Sequence, residues 1–450
     1  MKFLKKMKYE ILVFSVFLLT RLPALGHDNF NTDVWKWKSR IYDFGTGVFG
    51  LDFIKTIQKY HPGVTLLWLG AIAVKVYNLF YDLVFKHAPI DNSIAMIFEL
   101  DFVQKLFVTI TIGVTLAFIF YVLNKLFGKR YAIIAVVLIS LEPFYVALTR
   151  VLHLEGLMST FMIASFVWFY YFLTDQTKKK RLYISAAFTA LAVLTKTSAL
   201  FMLPFLGLVL FSWDFGAKRR FWPAFRSSLN VYWKWLFFAV LVFVAVWPAM
   251  WAYPLLALQT LYRGIFTIGV EGGHDQFYFG AYTQDPGWTF YFVVLALRSS
   301  FAVLLGFVGY LFVHKKLSSD KKSFALYSLG FTILYLAFLT FPSKKLDRYI
   351  IPAILSFILV VSFYYERLKN YILVLLVIPA IFILVRIHPD YFSYYNPLFG
   401  GLRTGINVIE PKWLIGESEI AFYLRNVMVK DNLTKIVPGE SFESMVDTPQ

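Results

Sequence analysis

The chain has 450 residues, of which 59% are hydrophobic, 16% charged and 20% aromatic, with a mean hydropathy of +0.63. Soluble domains are about 45–50% apolar and about 25% charged, so this balance excludes a soluble enzyme and requires several membrane spans. The net charge of +17 falls mostly in short loops of the kind that set membrane orientation, which argues against a nucleic-acid partner; the lack of cysteine removes disulfides, thiolate nucleophiles and Cys-ligated metals.

Lys2, Lys5, Lys6 and Lys8 precede an apolar run from Ile11 to Leu19. A signal peptide has this order, but Arg21-Leu22-Pro23 stands where a small-residue cleavage site is needed, so a retained first span over 9–25 is expected. Further spans are expected over 97–126, 131–148, 156–173, 182–196, 198–213, 235–254, 289–312, 324–341, 349–365 and 371–387. The apolar stretch 64–85 is ambiguous, with Lys75, Asn78 and Asp82 inside it. If it does not cross, the basic N-terminus and the loops Lys125–Arg130, Lys178–Arg181, Asp214–Lys234, His314–Lys322 and Arg367–Lys369 all lie on the cytoplasmic side. If it crosses, all those loops flip outward. It therefore reads as a helix lying on the outer interface.

The expectation is an all-α polytopic protein of about eleven spans, with interfacial helices in its first outer loop. Residues 1–387 form one multi-span domain with outer loops 26–96 and 255–288; residues 388–450 form a short outer tail with a helix candidate over 417–429. No internal repeat or low-complexity segment is visible. The setting is the plasma membrane, with the N-terminus cytoplasmic and the working face outside.

Several charges sit against that orientation. Arg150, Lys196, Arg263 and the run Lys344-Lys345-Leu346-Asp347-Arg348 lie at outer ends of spans or in outer loops. Each alone reads equally as a side chain snorkelling to lipid phosphates; four sites on one face point to a bound anion. Carboxylates converge there too: Asp28 and Asp33 after the first span, Glu155 five residues after Arg150, and Asp275 and Asp285 in the second loop. Trp35 and Trp37 serve as interfacial anchors or as a sugar platform. Glu142-Pro143 marks a bend.

This set suits sugar transfer from a polyprenyl phosphate. Cations at the interface neutralise the leaving phosphate, and an aspartate takes the proton of an attacking hydroxyl. No GxGxxG fingerprint marks a nucleotide-binding domain. Asp33 alone is also readable as a residue in a solvated turn.

Six segments, in order, carry a resemblance. They are Phe30-Asn31-Thr32-Asp33 with Trp37 and Arg40; His61-Pro62-Gly63 before the helix 64–85; Thr149-Arg150-Val151-Leu152-His153-Leu154-Glu155; Leu194-Thr195-Lys196-Thr197; Lys345-Leu346-Asp347-Arg348-Tyr349-Ile350-Ile351-Pro352; and His388-Pro389 through Tyr394-Tyr395-Asn396 to Gly400-Gly401. Together the chain resembles the C-type glycosyltransferases of the protein O-mannosyltransferase and aminoarabinose-transferase-like group. The resemblance implies an inverting membrane glycosyltransferase, mannosyltransferase-like, that moves a sugar from a polyprenyl (dolichyl or undecaprenyl) phosphate to an acceptor hydroxyl on protein, lipid or glycan. Asp33 would be the base, or would orient the acceptor. Arg150, Lys196, Arg348 and Lys345 would hold the donor phosphate. His61, Glu155, Arg263, Tyr349, Tyr395 and Asn396 would shape the site. The bland readings stay open: His61 as a cap of the interfacial helix, and Tyr394-Tyr395-Asn396 as the end of a span.

Two departures matter. The family's pattern has Asp-Glu where this chain has Asp33-Val34, and Asp where it has Glu155. The missing Glu belongs to acceptor handling in the protein-directed branch, which puts a peptide acceptor in question. No cofactor is expected, although His61 and His274 with Asp275 or Glu155 form a candidate set for a divalent ion. Two other functions compete. A lipid-linked-sugar transporter would place ionisable groups near the bilayer midplane in two related halves. A non-catalytic subunit of the same fold would explain the lost Glu at position 34.

Overall fold

The computed structural model describes residues 7–26, 32–59, 61–90, 94–268, 275–411, 413 and 423. Asp28, Glu271, His274 and the expected helix 417–429 fall outside these, apart from Tyr423.

The described chain is a helical bundle with one two-stranded antiparallel hairpin, β1 (Gln276–Tyr278) and β2 (Ala281–Thr283). The helices that concern the site are α1 (Lys8–Leu19), α2 (Thr32–Phe49), α3 (Val64–Phe85), α4 (Ile94–Phe127), α5 (Lys129–Leu141), α6 (Pro143–Arg150), α7 (Leu154–Leu173) and α8 (Lys179–Thr195). They are followed by α9 (Met202–Lys218), α10 (Phe221–Val246), α11 (Pro254–Arg263), α12 (Phe290–Arg298), α13 (Phe301–Val313), α14 (Ser319–Thr340), α15 (Ile351–Tyr365) and α16 (Asn370–Arg386).

Among the described residues, seven helices are long and apolar enough to cross a membrane, or nine when each of two sharply bent pairs counts as one span. The bends are 65° between α5 and α6, at Glu142-Pro143, and 106° between α12 and α13, at Ser299-Ser300. Proline at the first position of α6 cannot continue the ladder of α5, which accounts for the first bend. The expected eleven spans are therefore not all matched by length. Three of them are the shorter helices α1, of 12 residues, and α8 and α16, of 17 each. In α1 the Arg21-Leu22-Pro23 sequence ends the helix early.

The helix α3 meets the length criterion for a span, and its contacts join it to α8, α10 and α4. Gly63 N–H before its first turn donates to the Thr195 carbonyl at the C-terminal end of α8, and Trp68 Nε1 donates to the Val246 carbonyl at the end of α10. Further along, Tyr77 and Tyr81 hydroxyls both donate to Glu99 Oε2 at the start of α4. The far ends of the spans are tied together separately, by Lys129 Nζ to Tyr9 (3.1 Å), by Arg130 to the Glu366 carbonyl (2.7 Å) and by Lys321 to Glu366 (2.6 Å).

Two helices form the axis. The spans containing α7 and α15 are 94% and 89% buried over their apolar windows, because their sequences are apolar on every face. Each begins at the end covered by α2 and α3. Glu155 stands in the first turn of α7, and Arg348 stands just before α15.

Candidate active site

Asp33 occupies the first turn of α2, where a carboxylate is favoured by the helix dipole. The turn is set by apolar spacing: Val34, Trp37, Ile41 and Phe44 form a buried stripe, leaving Asp33 at its edge. Gly63 lets this stripe approach α3. Its φ is +61°, and a Cβ there would lie 2.4 Å from the Trp37 ring. Trp37 is thus buried packing, whereas Trp35 is half exposed. Val34 is fully buried in the same core.

Among the described residues, Arg348, Trp413, His153 and Lys36 lie around the Asp33 carboxylate. Arg348 Nη2 donates to Oδ2 at 3.3 Å, and Trp413 Nε1 donates to the same oxygen at 3.2 Å. His153 Nε2 lies 3.8 Å from Oδ2, and Lys36 Nζ lies 3.7 Å from Oδ1. Burial by itself would raise the Asp33 carboxyl. Arg348, then His153, Trp413 and Lys36, outweigh it and hold the group below its ordinary 3.8. Asp33 is therefore ionised at neutral pH.

Glu155 is the second centre. It is fully buried and belongs to the first turn of α7. Its Oε1 accepts from Lys196 Nζ at 2.8 Å and from Arg348 Nε at 3.3 Å, while Oε2 is hydrogen-bonded to His153 Nδ1. Lys196 ends α8, where a cation is favoured, and its extended backbone (φ −154°, ψ 138°) stops the helix there. Its ammonium lies 3.8 Å from the centre of the Tyr349 ring. Arg348 thus spans both carboxylates. Its remaining nitrogen, Nη1, is buried and has no hydrogen-bond partner among the described residues.

The expected site residues divide. Asp33, Glu155, Lys196, Arg348 and Tyr349 come together. His61 flanks them: its Nδ1 is 3.3 Å from Thr197 Oγ1, and burial, followed by Lys196, pushes it well below 6.5. Most of the others are engaged elsewhere. Arg150 donates to the carbonyls of Arg21 and Pro23, so its guanidinium holds the turn that follows α1. Lys345 is pinned to Asp285 Oδ1 at 2.5 Å and to the Pro342 carbonyl. Asn396 Nδ2 donates to the Ser299 carbonyl and Tyr395 to that of Ile409, so both tie the segment after α16 to its surroundings. Arg263 is exposed at the end of α11 and forms no hydrogen bond or ion pair among the described residues. Among the described residues no group of three His, Asp or Glu side chains is placed to hold a metal ion.

Three residues carry weight that the sequence did not signal. His153 joins the two carboxylates. Trp413 arrives from 380 positions away to cover Asp33 and lies 4.6 Å from the Arg348 guanidinium. Arg298 is fully buried, pairs with Asp347 at 2.7 Å and donates to the carbonyls of Phe392 and Tyr394; Asp347 in turn accepts from the Arg348 N–H. A buried arginine inside an apolar run was the one available hint of this support.

Residues 92–251 match the family model described as dolichyl-phosphate-mannose-protein mannosyltransferase. No curated protein sequence matches the chain. Among solved structures, apo ArnT from Cupriavidus metallidurans superposes with a TM-score of 0.54 at 14% identity, covering 83% of this chain and 63% of ArnT. ArnT bound to undecaprenyl phosphate gives 0.52 at 14% identity, covering 80% and 61%. An oligosaccharyltransferase from Archaeoglobus fulgidus gives 0.46 at 12% identity, covering 82% and 52%. The fold is that of the C-type glycosyltransferases, an all-α polytopic membrane fold. The chain spans a little over three fifths of the ArnT structures it matches.

Proposed function

We propose that the protein is an inverting membrane glycosyltransferase that moves a sugar from a polyprenyl phosphate to an acceptor hydroxyl on the outer face of the plasma membrane. The observation that carries this reading is Arg348. It touches Asp33 and Glu155 at once and leaves a buried Nη1 without an acceptor. An unmet buried donor costs about 1–3 kcal/mol, more when charged, and a phosphate oxygen removes that cost. Lys196 shares Glu155 Oε1 with Arg348, so the two cations are held side by side as the phosphate leaves. The ionised Asp33, one hydrogen bond from Arg348, takes the acceptor proton. ArnT, which shares the fold, has been crystallised with undecaprenyl phosphate, which supports a polyprenyl donor.

Val34 bears on the acceptor. Its side chain is sealed in the α2 core, so no second carboxylate faces an incoming chain on this turn. The acceptor assigned here is a lipid or glycan hydroxyl rather than a peptide. The test supplies polyprenyl-phosphate-linked sugars to membranes containing the protein. The reading expects a glycoside of inverted anomeric configuration that membranes lacking the protein do not form. Movement of the lipid across the bilayer without any transfer would instead support a transporter.

A further inference from the structure

We infer that His153 is a proton relay, receiving from Asp33 the proton that Asp33 takes from the acceptor hydroxyl. This rests on the glycosyltransferase reading above. His153 N-caps α7 in an extended conformation (φ −148°, ψ 174°), which places its ring between the two carboxylates. Nδ1 is bonded to Glu155 Oε2. Glu155, salt-bridged to Lys196 and Arg348, accepts the Nδ1 hydrogen bond and so fixes the tautomer. The Nε2 lone pair is then the one that faces Asp33 Oδ2, at 3.8 Å. Two edge contacts hold the ring: Trp37 at 6.1 Å with planes at 89°, and Trp413 at 5.0 Å and 67°.

The step balances as follows. The acceptor oxygen bonds to the anomeric carbon, and the bond from that carbon to the phosphate oxygen breaks. The electron pair leaves on the phosphate beside Arg348 and Lys196. The acceptor proton passes to Asp33 Oδ2 and then to His153 Nε2, leaving Asp33 ionised; His153 loses it to water as the products depart. Among the described residues, the charged or titratable groups facing the ring are Asp33 from α2, Glu155 on α7, Lys196 ending α8, Arg348 before α15 and His61 before α3. Burial lowers His153, and Glu155 opposes that lowering.

The test compares wild type, His153→Asn and Asp33→Asn in membranes, by single-turnover transfer across pH. Asparagine keeps a donor toward Glu155 and cannot take a proton. The expected result is a rate loss of at least about 10-fold in His153→Asn, together with a changed profile. Wild type falls off as pH drops through the His153 value, because an imidazolium formed in advance cannot receive a proton. His153→Asn lacks that limb and keeps only the Asp33 limb below 3.8. A His153→Asn rate equal to wild type, or a loss with the limb unmoved, overturns the relay. A wild-type rate in Asp33→Asn would instead sink the base assignment. A second readout needs no turnover: in full-length protein with isotope-labelled histidine, Asp33→Asn should lower the titration of His153, identified by its absence in His153→Asn. An unchanged titration overturns the coupling.

Discussion

Arg348 Nη2 and Arg348 Nε lie 3.3 Å from Asp33 Oδ2 and 3.3 Å from Glu155 Oε1, so one guanidinium joins a residue of the first loop to the buried start of a central helix 193 positions before it. A lysine keeps the charge but has a single head and loses the planar fork. Arg348→Lys should therefore lower transfer by roughly 100-fold or more, with weaker use of donor than of acceptor. Lys196→Ala should show the same bias. Titrating each substrate separately checks both, and a defect confined to the acceptor would remove the phosphate role.

Val34→Glu restores the family's pattern on paper. Here it would place a carboxylate in a fully buried apolar position beside Trp37 and Ile41. Burying an unpaired charge costs several kcal/mol. The expected outcome is a lower thermal midpoint and less folded protein, with no gain of peptide acceptor. Size-exclusion profiles and thermal unfolding in detergent measure this directly.

Gly63→Ala puts a Cβ into the Trp37 ring at a left-handed φ of +61°. Overpacking of this kind costs about 1–3 kcal/mol. Because Trp37 rests against His153, transfer should fall as well as stability. Trp37→Leu in the same chain should recover part of the stability. Simple addition of the two losses in thermal melts would show that Trp37 is not what Gly63 accommodates.

Arg298 tests the support beneath Arg348. Removing it strands Asp347 and frees the carbonyls of Phe392 and Tyr394. Breaking a buried pair costs roughly 3–5 kcal/mol. Arg298→Ala should lower the thermal midpoint strongly, and Asp347→Asn in that background should add little. Full additivity of the two would separate Arg298 from Asp347.

The apolar runs and their polar interruptions made the helices legible, because period and length are local properties. The same holds for Asp33, Glu155, Lys196 and Arg348, each marked by a charge at the edge of an apolar run. Charge alone did not say what each cation serves. Arg150 reads like Arg348 in sequence, yet it donates to backbone carbonyls in the turn after α1. Lys345 is three residues from Arg348 and turns instead to Asp285. His153 and Trp413 were hidden for a different reason. Asp33, which both of them face, lies far along the chain, and no local pattern separates an aromatic that covers a carboxylate from one that fills a core. Of the expected spans, α1 ends short of its apolar run at a local break, while α8 and α16 match their expected extents at 17 residues each.

The central claim is that the ionised Asp33 accepts a proton during sugar transfer. Asp33→Asn keeps the shape and leaves Arg348 and Trp413 an oxygen to bond. Single-turnover transfer from a polyprenyl-phosphate sugar in membranes, at matched protein levels, should drop at least about 100-fold. Transfer at the wild-type rate would contradict the claim.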